Sequence, residues 1–115
     1  MKKPEGAALA RLCRKYADDK KALQPVILDL RKLESPSEFF LICSAESEPQ
    51  LKAIANHIEQ SLKEKHCVKA WSIHGTSASR WIVMDYSSVL VHIFHQEKRV
   101  YYQIEDLWSA ARQIS

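Results

Sequence analysis

Arg80-Trp-Ile-Val-Met-Asp-Tyr-Ser-Ser-Val-Leu-Val-His-Ile-Phe-His95 is the stretch that decides the fold. Two strongly β-prone apolar runs, Trp81 to Tyr86 and Val89 to Phe94, flank the polar pair Ser87-Ser88, which is hairpin chemistry. A two-residue loop sets Tyr86 opposite Val89, Met84 opposite Val91 and Ile82 opposite Ile93. Side chains alternate along a strand, so these residues share one wholly apolar face. The opposite face carries Trp81, Val83 and Asp85 against Leu90, His92 and Phe94, and a four-residue loop would keep the same parity. One face is core. The other mixes two aromatics, a carboxylate and an imidazole, and is either covered by helices or used.

Outward from the hairpin, the chain reads as alternating helices and strands. Residues 7–21 place Leu9, Leu12, Cys13, Tyr16 and Ala17 on one helical stripe. Arg11, Arg14, Lys15, Lys20 and Lys21 lie mostly off it and read as a solvated basic face in preference to a nucleic-acid contact. Gln24-Pro25 is expected to break this helix, because proline disfavours the α region for the residue before it. Val26 to Leu30 and Phe39 to Ser44 are continuous apolar runs, as in strands covered on both faces, with turn chemistry at Glu34-Ser-Pro-Ser37 between them. Ser47-Glu-Pro-Gln50 is a helix start of the capping-box kind. The helix that follows buries Leu51, Ile54, Ala55, Ile58 and Leu62 and frays near Lys65-His66. Val68 to Ile73 reads as a third strand and Gly75 to Ser79 as a polar loop. Ile104, Leu107, Trp108 and Ala111 read as a short C-terminal amphipathic helix. The order αββαβββα predicts an α/β fold with a mixed β-sheet of about five strands flanked by helices, in a single domain over 1–115.

Composition narrows the function classes. At 115 residues, 46% hydrophobic and 27% charged, the chain is large enough for one core without disulfide or metal staples. A net charge of +3 suits an RNA-rich partner but does not argue nucleic-acid binding alone. Three widely spaced cysteines, Cys13, Cys43 and Cys67, favour free thiols in a reducing cytoplasm. Met1-Lys2-Lys3 precedes only a short Ala/Leu run containing Arg11, so neither a secretory signal nor a membrane span is expected. Two glycines, Gly6 and Gly75, exclude Gly-rich phosphate loops.

No catalytic pattern in the sequence is complete. His92 and His95 point to opposite strand faces, and His66-Cys67 has no second pair at ligand spacing, so no metal site is expected. Asp85 and His92 share a hairpin face and could form a diad, but no G-x-S-x-G elbow supplies a nucleophile. A hydrogen bond that settles a polar pair on a half-buried sheet is the preferred reading. Asp29 and Asp85 each stand alone in their strands, and Asp18-Asp19 do not face each other, so no carboxylate pair for magnesium is read. Of the three tryptophans only Trp81 is a candidate for exposure, Trp71 lying inside a strand and Trp108 on a helical stripe. The residues alone describe a small domain with no catalytic machinery and one aromatic-polar face of the kind interface cores use. No cofactor is called for.

From the first helix to Trp108, over 7–108, the chain resembles the ribosomal silencing factor family, RsfS, also called Iojap. The motifs stand here as Asp19-Lys-Lys-Ala22, Val26-Ile-Leu-Asp-Leu30, Glu38-Phe-Phe-Leu-Ile-Cys43 and Gln50-Leu-Lys-Ala-Ile-Ala55. Arg80-Trp-Ile-Val-Met-Asp-Tyr86 follows, then Val91-His-Ile-Phe94, Tyr102 and Leu107-Trp108. The resemblance implies a nucleotidyltransferase-like fold without the catalytic signature, and a non-enzymatic, cytoplasmic protein. It also implies binding to ribosomal protein L fourteen on the large ribosomal subunit, which blocks association with the small subunit and represses translation. By the same resemblance Trp81, Asp85, Tyr86 and His92 match the partner-binding positions. Neither a membrane nor a specific nucleic-acid sequence is an expected partner, and an apolar second sheet face would also suit a homodimer. A nucleotide-acting enzyme using Asp85 and His92, or a general RNA binder using the first helix, are the alternatives. The chain departs from the family at His74-Gly75, where Glu-Gly is usual, at Ser79, where glycine is usual, and at Ser87-Ser88, where Gly-Asp is usual. Glu38-Phe39-Phe40 stands where Asp-Tyr-Phe is frequent. Serine tolerates positive φ less well than glycine, so the hairpin turn is expected to be strained or of another type.

Overall fold

The computed structural model describes residues 3–33, 35, 37–76, 78–98 and 112–114. Its elements run α1 (Gly6–Asp19), β1 (Leu23–Asp29), β2 (Phe39–Ala45), α2 (Glu48–His66), β3 (Ser72–Thr76), β4 (Trp81–Asp85), β5 (Val89–His95) and β6 (Arg112–Ile114). The strands form one sheet in the order β3-β4-β5-β2-β1-β6. β2 and β5 pair in parallel and the other neighbours are antiparallel, so the sheet is mixed as expected. It has six described strands where about five were expected, because Arg112–Ile114 adds to β1 at the edge. The expected C-terminal helix through Ile104, Leu107, Trp108 and Ala111 lies outside the described residues.

The hairpin has the register its alternation dictates. Ile82 pairs Ile93, Met84 pairs Val91 and Asp85 pairs Leu90, and the Tyr86 amide donates to the Val89 carbonyl to close a two-residue loop. Ile82, Met84, Tyr86, Val89, Val91 and Ile93 pack with Leu9, Cys13 and Tyr16 of α1 and Leu51, Ile54 and Ile58 of α2 in the main core. Both described helices thus lie on one sheet face. Each fully buried Leu, Ile, Val or Met here contributes roughly 1.5–3 kcal/mol. A second cluster on the other face joins Leu28, Leu30, Phe40, Ile42 and Phe94, with Trp81, Leu90, Val26 and Leu33 partly buried against it. β2 runs down the middle and is buried along its whole length, as its unbroken apolar run implied.

Local chemistry explains where elements begin and end. The Ser47 hydroxyl accepts from the Gln50 amide (3.2 Å), and the Gln50 side chain accepts from Glu46 N (2.6 Å), one residue earlier than a capping box requires. The same side chain donates to the carbonyls of Lys20 and Lys21, tying the start of α2 to the turn after α1.

Three expectations are corrected. α1 ends at Asp19 through a turn with Lys21 at φ 61°, and Pro25 sits instead at a register shift inside β1, where its missing amide is tolerated. The third strand begins at Ser72, not Val68, because Cys67 takes a left-handed conformation and the Val68 amide returns to the Leu62 carbonyl to close α2. Gly75 and Thr76 are strand residues rather than loop. A Cβ on Gly75, which has φ 87°, would lie 2.1 Å from the Trp81 carbonyl oxygen, so only glycine lets the two strands meet there.

Candidate functional site

Strand parity places Trp81, Val83 and Asp85 of β4 and Leu90, His92 and Phe94 of β5 on the sheet face away from α1 and α2. Trp81, Val83, Asp85 and Leu90 are half-buried, while His92 and Phe94 are buried. The aromatic groups form a stack. The Trp81 ring lies on Phe94 with centroids 5.0 Å apart, and His92 meets Phe40 of β2 edge-on at 4.8 Å. Such pairs add about 0.5–1.5 kcal/mol beyond their buried area and hold the rings rigid.

His92 is 4% exposed, and neither ring nitrogen has a hydrogen-bond partner among the described residues. Burial disfavours the imidazolium and lowers its pKa from 6.5 to about 4, so the ring is neutral at physiological pH. The expected Asp85–His92 hydrogen bond is not formed. Asp85 Oδ1 instead accepts from the Ser87 amide at 2.8 Å, because Ser87 turns the chain at φ 69° and points its N–H back at the strand. A second tie comes from the Ser88 hydroxyl, which accepts from the Gly6 amide at 2.9 Å and fixes the turn to the start of α1.

Tyr86 does not share the face of the other three candidates. It is 5% exposed on the helix side, its hydroxyl has no hydrogen-bond partner among the described residues, and burial raises its pKa. It reaches the hairpin end from beneath, lining a cleft of about 260 Å³ with Pro4, Glu5 and Ser88. Trp81, Asp85 and His92 therefore form one surface, and Tyr86 supports it from the other side.

The tryptophan assignment is also corrected. Trp71 precedes β3 and is 81% exposed, whereas Trp81 is half-buried. Asp29 is paired with a cation rather than a second acid: Arg31 Nε and Nη2 donate to its two carboxylate oxygens at 2.9 and 2.7 Å, and its pKa falls to about 2 under that guanidinium. An acidic residue two before an arginine, just past an apolar run, was the available signal for that turn.

Chemically, the hairpin face offers shape, stacked rings and two unpaired neutral nitrogens rather than a reactive group. The buried Cys13 thiol is pushed up to about 12 by burial, and Cys43 is likewise buried. Among the described residues no three His, Cys, Asp or Glu side chains are grouped to hold a metal ion. No described helix is long and apolar enough to cross a membrane.

The family model described as "Ribosomal silencing factor during starvation" (RsfS) matches residues 3–115. The chain belongs to the ribosomal silencing factor family. It is 37% identical over 103 residues to the ribosomal silencing factor RsfS of Halalkalibacterium halodurans, covering 90% of this chain and 87% of that protein. Its identity to the RsfS of Bacillus subtilis is 32% over 104 residues, with the same two coverages. In three dimensions it is similar to a crystal structure from Bacillus halodurans, with a TM-score of 0.80 and 34% identity over 93% of this chain and 96% of that one. A crystal structure from Chromobacterium violaceum gives a TM-score of 0.82 at 30% identity, covering 93% of this chain and 88% of that one. The RsfS fold accounts for the mixed sheet, and the family's role is regulatory rather than enzymatic.

Proposed function

We propose that this chain represses translation by binding ribosomal protein L fourteen on the large ribosomal subunit and sterically preventing the small subunit from joining. The contact is made by the hairpin face carrying Trp81, Asp85 and His92, with Tyr86 holding that face from behind. The protein acts without catalysis, in the cytoplasm where subunits meet. One observation carries this reading: a rigid aromatic stack, half-open at Trp81 and Asp85, encloses an imidazole with no hydrogen-bond partner among the described residues. A buried polar group without a hydrogen bond costs free energy. A partner that supplies the bond while covering the aromatic rim recovers that cost and buries the kind of residue that dominates interface energies.

The test is light scattering of separated subunits mixed with increasing protein. Subunit joining should fall in proportion to occupancy of the large subunit. Normal joining at saturating protein would end the proposal.

A further inference from the structure

At the far side of the sheet from β4, the end of β1 and the start of β6 meet around a cleft of about 500 Å³. Among the described residues it is lined by Asp29, Arg31, Lys32, Leu33 and Arg112. Three cations surround one carboxylate, and that carboxylate is already engaged. Asp29 accepts from Arg31 Nε, Nη2 and the Arg31 backbone amide, at 2.9, 2.7 and 3.1 Å. The guanidinium also lies over the Phe39 ring, 5.1 Å from its centroid. Arg31 is therefore clamped on two sides, unlike an ordinary surface arginine, while its side chain stays 58% exposed. Arg112 is the direct cross-strand neighbour of Asp29, which sets a second guanidinium beside the first, and Lys32 follows in the chain.

We infer that this cleft binds the phosphodiester backbone of RNA, with Arg31 as the fixed donor and Lys32 and Arg112 as the flanking charges. Preorganisation matters here because a donor held in place loses little rotamer freedom on binding. Planar guanidinium edges suit phosphate oxygens, and backbone contacts need no sequence. The position gives the cleft a use. A second cleft, of about 450 Å³, shares Arg31 and Leu33 with the first and reaches Ser87 and Ser88 at the hairpin turn; its walls include the carboxylates Glu5 and Glu38, so an anion is held at the first cleft alone. The first cleft then lies within reach of whatever borders a protein surface docked on the hairpin, and a ribosomal subunit carries RNA beside its proteins. Phosphate binding by the cleft does not depend on the hairpin proposal; only its place on the ribosome does.

The experiment measures fluorescence anisotropy of labelled oligouridylate with the full chain across a salt series. Arg112→Gln and Lys32→Gln should each weaken binding several-fold and reduce the slope of log affinity against log salt by about 0.7. Lys63→Gln on α2, which removes the same charge from an exposed site elsewhere, should change neither. Equal losses in all three variants would show diffuse attraction and overturn the inference, as would no binding at low salt. Competition by uridine triphosphate as tight as the oligomer would make the cleft a mononucleotide pocket and overturn it too. Arg112→Gln should still bind isolated ribosomal protein L fourteen. Loss of that binding in the unsubstituted chain would count against the hairpin proposal alone.

Discussion

The two faces of the β4–β5 hairpin are made by alternate residues of the same two strands, and they answer different demands. Facing the helices are Ile82, Met84, Val91 and Ile93, all apolar and closed over by α1 and α2. Facing away are Trp81, Val83, Asp85 and Leu90, half-buried around the buried pair His92 and Phe94. Among the described residues, the helix side leaves the Tyr86 hydroxyl unpaired at its end, whereas the other side holds a whole imidazole without a hydrogen-bond partner. Parity thus separates the main core from the face proposed for recognition, and a slip of one residue would exchange them. The helix-side face can be read as stability alone, and the opposite face has features that stability does not explain.

The largest expected effect falls on the helix side. Ile93→Ala should cost about 2–5 kcal/mol in urea denaturation, since the residue is fully buried between sheet and helices. Val83→Ala, on the half-buried face, should cost about 1 kcal/mol. Equal costs would erase the distinction between the faces.

Next comes the acid response of His92. Its folded pKa is lowered from 6.5 to about 4, so the unfolded chain binds the proton more readily. Its contribution is therefore fully present above pH 6.5, is lost as pH falls from about 6.5 to about 4, and changes no further below that. The loss should be on the order of 3 kcal/mol. Urea midpoints over that range should steepen in the native chain and flatten in His92→Leu. An unchanged slope in the variant would mean that the ring is not buried as described.

The smallest effect sharpens the turn between the faces. Ser87 has φ 69°, where a side chain costs about 1–2 kcal/mol and glycine does not. Ser87→Gly should therefore raise stability by about 1 kcal/mol, offset in part by the greater freedom of the unfolded chain. A lowered denaturation midpoint would show that the added freedom of the unfolded chain outweighs the relieved strain.

What could be read from the residues followed period and local chemistry. The hairpin register was legible because two unbroken alternating runs met at a two-residue loop, and α2 because Ser47, Pro49 and Gln50 mark its start. The displacement of β3 was not legible. It follows from the left-handed turn at Cys67, a conformation that cysteine does not advertise. Nor did three residues such as Arg112–Ile114 carry a strand pattern of their own; they became one by pairing with β1. At the candidate site, parity correctly joined Trp81, Asp85 and His92 and put Tyr86 across the sheet. It could not reveal that Asp85 turns to the Ser87 amide and leaves His92 alone, since both choices fit the same alternation. Arg31 and Arg112 are brought together only by the β1–β6 ladder, so spacing along the chain could not have assembled the cleft.

The central claim is that the Asp85 carboxylate serves binding and does not hold the fold. Asp85→Arg tests it most directly, with circular dichroism and affinity for isolated ribosomal protein L fourteen measured on the same sample. The substitution removes one hydrogen bond to a turn amide, worth about 1 kcal/mol, and reverses a half-buried charge. The expected result is a native spectrum with binding weakened about tenfold or more. A native spectrum with undiminished affinity would contradict the account.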